Sequence, residues 1–309
     1  MRLFDLHCDT PQKMYINNHR LESSPLSVSL DKLACYEDAV QIGAIWSDSR
    51  ISDESAFVAF HKIADYLNFE VEALDERVGY VRSKEHFEMA EGKAKILLSV
   101  EDARLLCGRL DRLKILYARG VRFLIPVWGG SSIIGGAHDT GEGLTEFGKD
   151  VIRACFELGI ITDISHASVK TAEEMLDLAE AEKKGIMASH SNSYSVHKHS
   201  RNLTDAQFER VKRLGGVVGI SLHAPHLTDK ESCDVDDVVK HIEHYLSLGG
   251  EDVVALGCDF DGTDSLPNGL KKVSDLPLLA ERLAALNYTD TLIDKIFYSN
   301  AKNFTMINI

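Results

Sequence analysis

The chain has 309 residues, 44% of them hydrophobic and 27% charged, with a formal net charge of −14. This composition excludes a disordered or fibrous chain and allows a core large enough to stand without disulfide or metal staples. The acidic surplus argues against nucleic acid and anionic membrane as partners, because both are bound through Lys/Arg-rich footprints, and small molecules are the expected ligands.

Along the chain, short apolar β-branched runs alternate with amphipathic stretches, the pattern of β/α units around a parallel sheet. Eight runs are predicted strands: RLFDLH (2–7), VQIGAIW (40–46), KILLSVE (95–101), VRFLIPV (121–127), IITDISH (160–166), GIMASH (185–190), GVVGISL (216–222) and VVALGCD (253–259). LTEFGKDVIRACFELG predicts a helix capped by Thr145 and stopped by Gly159, and SVKTAEEMLDLAEAEKKG one stopped by Gly185. DAQFERVKRLGG and DVDDVVKHIEHYLSLGG repeat the design. Eight units are the number of an α/β (β/α)8 TIM barrel. No linker or composition break divides residues 1–309, so one barrel domain is expected, with its site at the C-terminal ends of the strands.

Between the fourth predicted strand and the next helix lies WGGSSIIGGAHDTGEG (128–143), with six of the 22 glycines. Such a loop is either mobile or closely apposed to a ligand. The six cysteines (Cys8, Cys35, Cys107, Cys155, Cys233, Cys258) include no C-x-x-C pair and read as reduced thiols. No apolar run has the length of a membrane span, and no signal-peptide pattern opens the sequence. A cytoplasmic address is expected.

Polar residues collect where the predicted strands stop. His7 and Asp9 follow the first, Glu101 ends the third, His166 the fifth, His190 the sixth and Asp259 the eighth. Strand side chains alternate, so His7 and Asp9 project together toward the barrel mouth. Imidazole and carboxylate suit Zn²⁺ and related divalent ions. His7, Asp9, Glu101, His166 and His190 could hold two metals bridged by one carboxylate, a pairing that activates hydroxide and polarises a carbonyl. Any one of these residues alone reads more simply as a hydrogen-bonded structural group; five on one rim do not. His223, His226 and His138 fall on or near the same rim, as pocket-lining or plain loop residues. His19, His61, His86, His197, His199, His241 and His244 are expected mostly at the surface.

Taken in order, DLHCDTP, GAIWS, SVEDA, LTEFGKDVIRACFELGIITDISHAS, SHSNSYSVHKHSRN, GCDFDG and SNAKNF resemble the membrane dipeptidase, or renal dipeptidase, family of metallopeptidases over nearly the whole chain. The resemblance implies two Zn²⁺ per chain, with Mn²⁺ or Co²⁺ as substitutes. His7 and Asp9 would bind one ion and His166 with His190 the other, with Glu101 as the bridge. It implies a dipeptide substrate, in which a C-terminal D-residue is tolerated, cleaved by a bridging hydroxide. Arg201 would hold the substrate carboxylate, and a guanidinium fork matches a carboxylate bidentately. Asp259 would contact the substrate amine and move a proton to the leaving group. Asp261 reads as structural. Trp128 stands where mammalian members carry a substrate-contacting His, and its indole N–H can donate one hydrogen bond there. Family members are often homodimers. The rival reading is another barrel amidohydrolase acting on cyclic amides or phosphoesters. Those typically open H-x-H and carry a carboxylated Lys, where this chain has H-x-D and Glu101.

Overall fold

Asp5 pairs with Gln41 across the first two strands, but Cys8 pairs with Gly43, so the first strand carries one extra residue. That bulge sets the facing of the first metal-ligand candidates, and the strands around it form the frame. The computed structural model describes residues 1–309. All eight predicted runs form strands: β1 (Arg2–Cys8), β2 (Asp38–Trp46), β4 (Ala94–Glu101), β5 (Val121–Ile125), β6 (Ile161–Thr162), β7 (Met187–Ala188), β8 (Val217–Ile220) and β9 (Val254–Leu256). An unpredicted β3 (Val78–Tyr80) lies outside the ring, paired in parallel with β4.

The ring order is β6-β5-β4-β2-β1-β9-β8-β7. A parallel bridge between Asp163 and Met187 joins its two ends, closing the (β/α)8 barrel. The inner core takes at least one apolar residue from every barrel strand, including Phe4, Leu6, Leu97, Phe123 and Met187. Leu3 and Cys8 instead pack in the outer core beneath the helices. The facing therefore changes between Leu6 and Cys8, where the bulge lies. A bulge of this kind re-aims the following side chain, and here it turns His7 toward the barrel mouth.

β6 and β7 are shorter than their predicted runs because the chain leaves the ladder to build the site. The buried Asp163 carboxylate accepts from the Ser165 N–H at 2.8 Å and the Ser189 N–H at 3.1 Å, replacing ladder partners at the point of departure. Gly219 and Gly257 let β8 and β9 approach this segment, since a Cβ on either would overlap the Ser189 carbonyl oxygen.

The helices follow the sequence signals with one correction. Thr145 Oγ1 accepts from the Gly148 N–H at 2.9 Å, and Gly159 ends helix Glu146–Leu158 at φ 76°. Helix Val169–Glu182, however, ends three residues before Gly185, with Lys183 in the left-handed conformation at φ 53°. Gly185 serves packing instead, because a Cβ there would press on Phe304 and Asn308 at 3.0 Å. The Gly-rich loop is tied down rather than free. The His138 N–H donates to the His166 carbonyl at 2.7 Å, the Ala137 N–H to the Gly130 carbonyl at 2.9 Å, and a bridge links Ala137 to Ala167. Its glycines allow close backbone approach within the protein. No helix is long and apolar enough to cross a membrane.

Candidate metal centre and substrate cavity

At the C-terminal mouth of the barrel the two oxygens of Glu101 face different partners. Oε1 lies 2.9 Å from His166 Nε2 and 3.7 Å from His190 Nε2, whereas Oε2 lies 3.9 Å from His7 Nε2. His7 Nε2 is in turn 3.5 Å from Asp9 Oδ2 and 3.9 Å from Asp259 Oδ1. Strand ends β1, β4, β6, β7 and β9 thus deliver six side chains to one cluster, divided into two donor groups about a single carboxylate. His166 and Asp259 are held at φ 68° and 61°, a left-handed backbone that non-glycine residues adopt at a cost and that concentrates at functional sites.

The donor chemistry fits divalent ions. His166 Nδ1 lies 3.0 Å from the Trp128 carbonyl oxygen, which can only accept, so the ring proton sits on Nδ1 and Nε2 presents a bare lone pair. That lone pair meets a carboxylate oxygen and, at 2.9 Å, a second imidazole Nε2, that of His190. His190 Nδ1 is held by Ser189 Oγ at 2.7 Å. Buried His7 has no hydrogen-bond partner on either ring nitrogen. Acceptors converging on one another in a buried space are unfavourable until a cation lies among them.

The electrostatics say the same. Burial pushes the Glu101 carboxyl well up and the His166 and His190 imidazoles well down. Burial also raises Asp259, to about 7. His7 goes the other way: burial opposes its charge, but Glu101, Asp9 and Asp259 raise it to about 10. A proton on His7 would conflict with a ligand role, since ligating imidazoles are neutral. That proton is the response to three carboxylates, and a divalent ion neutralises the same charge.

Above the cluster opens a cavity of about 570 Å³, lined by Glu101, Trp128, His166, Arg201 and Asp259 among others. Arg201 is 5% exposed, its Nε has no partner, and its one side-chain hydrogen bond reaches the His190 carbonyl at 3.4 Å. Burial lowers this guanidinium to about 10, against the pull of Asp259, Glu101 and Asp163, so it stays charged with donors to spare. Trp128 packs 4.7 Å from Trp46. Trp46 also lines the cavity, with a buried Nε1 that has no partner. Sequence reasoning passed over Trp46, although it ends β2 as Glu101 ends β4.

His138, His223 and His226 all line the cavity. Asp261 accepts from the Ser27 N–H at 2.7 Å and from the Thr10 hydroxyl at 2.6 Å, the structural role expected of it. The expectation of surface histidines holds for His86 alone. His19, His61, His197, His199 and His244 are half-buried, and His241 is fully buried. His241 accepts from the Ser193 N–H at 3.0 Å through Nδ1 and donates from Nε2 to the Leu227 carbonyl at 3.0 Å. Both nitrogens are satisfied, which is why helix Val235–Ser247 can turn this residue inward.

A family model described as membrane dipeptidase (peptidase family M19) matches residues 1–304. An uncharacterised protein from the pqqA 5′ region of Klebsiella pneumoniae is 36% identical over 213 residues, covering 65% of this chain and 77% of that one. An uncharacterised dipeptidase of Schizosaccharomyces pombe is 33% identical over 220 residues, covering 68% of this chain and 52% of the relative. Among solved structures, the M19 metallopeptidase dipeptidase AC matches with a TM-score of 0.91 at 26% identity, over 100% of this chain and 99% of that one. A metallopeptidase from Rhodobacter sphaeroides, solved with a phosphinate mimic of the dipeptide L-Ala-D-Ala, also gives 0.91, at 25% identity and the same coverage. The chain belongs to the membrane dipeptidase family, peptidase family M19, and is a metallopeptidase of that family.

Proposed function

We propose that the chain cleaves dipeptides with two divalent ions, zinc by preference with Mn²⁺ or Co²⁺ as substitutes. His7 and Asp9 would hold one ion and His166 and His190 the other, with Glu101 shared between them. The observation that carries this reading is the division of the Glu101 oxygens between two donor pairs. Bound there, the ions would supply a nucleophilic water at neutral pH and polarise the scissile carbonyl.

The remaining work falls to the chain's own groups. Arg201 takes the C-terminal carboxylate of the substrate with the donors its burial leaves unpaired. Asp259, beside His7 and Asp9 and raised toward neutrality, accepts a proton as water oxygen bonds to the carbonyl carbon. It returns that proton to the amine nitrogen as the C–N bond breaks. Trp46 and Trp128 wall the cavity and limit water around the reacting bond, and the Trp128 carbonyl fixes the His166 tautomer. The R. sphaeroides relative binds a mimic of a dipeptide ending in a D-residue, which supports including such substrates here. The six free cysteines fit the cytoplasmic address expected from the sequence.

The test is Arg201→Met. Loss of a charge-assisted bidentate pair should cost about 3 kcal/mol, roughly a hundredfold in kcat/KM for L-Ala-D-Ala. The preference for the free dipeptide over its C-terminal amide should vanish with it. A variant that keeps both the rate and the preference would remove Arg201 from the substrate site.

A further inference from the structure

The wall that carries Arg201 also holds two imidazoles that the proposed chemistry leaves unused. His226 is 9% exposed and lines the cavity, yet its ring has no hydrogen-bond partner in the protein. Its ring nitrogens open to the cavity rather than being sealed in the core, so a polar group of a ligand can meet them there. Its position is fixed by the surrounding backbone. Asn202 Nδ2 donates to the His226 carbonyl at 2.8 Å, the Ala224 N–H to the Ser265 carbonyl at 2.8 Å, and His241 Nε2 to the Leu227 carbonyl.

His223 stands beside it, with ring centroids 4.3 Å apart. Its Nδ1 meets Thr263 Oγ1, which already accepts from the Ser265 N–H at 3.0 Å. The threonine proton is therefore available to Nδ1. When the threonine donates it, the His223 ring proton lies on Nε2, which has no partner in the protein. His226 packs 4.6 Å from His199, whose Nδ1 accepts the Arg201 backbone N–H at 3.2 Å, and both imidazoles line the same cavity as Arg201. Neither imidazole has a carboxylate within ion-pair distance, whereas His7 and His166 do.

We propose that His223 and His226 form the subsite for an acidic side chain on the C-terminal residue of the substrate, making Xaa-Asp and Xaa-Glu the preferred dipeptides. The proposal rests on the dipeptidase reading, with Arg201 on the main-chain carboxylate. A side-chain carboxylate on that residue lies only a few bonds away. It meets two N–H donors in the field of a buried cation. A neutral amide would find the donors but gain nothing from the field.

The experiment compares kcat/KM for Ala-Glu, Ala-Gln and Ala-Ala in whichever stereochemical series is turned over, together with product inhibition by glutamate, glutamine and alanine. Expected is a preference of about tenfold or more for Glu over its isostere Gln, one charge-assisted hydrogen bond's worth, with the same order among the inhibition constants. In His226→Gln and His226→Phe the Glu-to-Gln ratio should fall to near one. Turnover of dipeptides with a wild-type ratio near one, or a ratio unmoved in both variants, overturns the subsite alone. Turnover of no dipeptide at all overturns the dipeptidase reading and the subsite with it.

Discussion

Glu101→Gln should lower kcat/KM for L-Ala-D-Ala by on the order of a thousandfold or more and leave the barrel folded. Glutamine keeps the shape but offers one acceptor oxygen and an NH₂ group, so one of the two donor groups loses its anionic oxygen and meets hydrogens instead. A bound ion contributes several kcal/mol to stabilising charge in a carbonyl-addition transition state, and each 1.36 kcal/mol is tenfold in rate. The variant should also bind fewer ions, about one per chain at the ion concentration that fills the wild type. Stability without metal should not suffer, because Glu101 is 3% exposed and burial already disfavours its charge. A variant retaining wild-type turnover and two ions would remove Glu101 from the bridging position.

Asp259→Asn should cost a comparable factor, about a thousandfold in kcat, for a different reason. Asparagine preserves the volume and accepts one hydrogen bond, but it cannot take up and return a proton. General acid–base groups contribute typically 10²–10⁴-fold. Asp259 Oδ1 also lies within reach of His7 and Asp9, so the ion count must accompany the kinetics. Unchanged metal content with a fall mainly in kcat assigns Asp259 to proton transfer. A fall in metal content that tracks the loss of rate would make it a ligand instead.

The barrel was legible because its strands are apolar runs of sufficient length separated by capped helices, and the donors because each stands where such a run stops. What escaped reading depends on distant partners. β3 is too short to stand out as a run, and its strand state comes from pairing with β4. The bulge in β1 arises from its register with β2, although the aim of His7 depends on it. His241 looks like any polar residue on a helix until the Ser193 N–H and the Leu227 carbonyl close around it. Lys183 ends its helix at a residue with no special tolerance for positive φ, while Gly185 packs against the C-terminal helix. Trp46 carried no motif of its own in the sequence, and its place beside Trp128 follows only from the closed ring.

Two ions sharing one carboxylate are the core of the proposed mechanism. The most direct measurement is a titration of metal-stripped protein with Zn²⁺, following L-Ala-D-Ala hydrolysis against equivalents added. Activity should reach its plateau at two equivalents per chain. Full activity at one equivalent, or turnover that persists without added ion in the presence of a chelator, would contradict it.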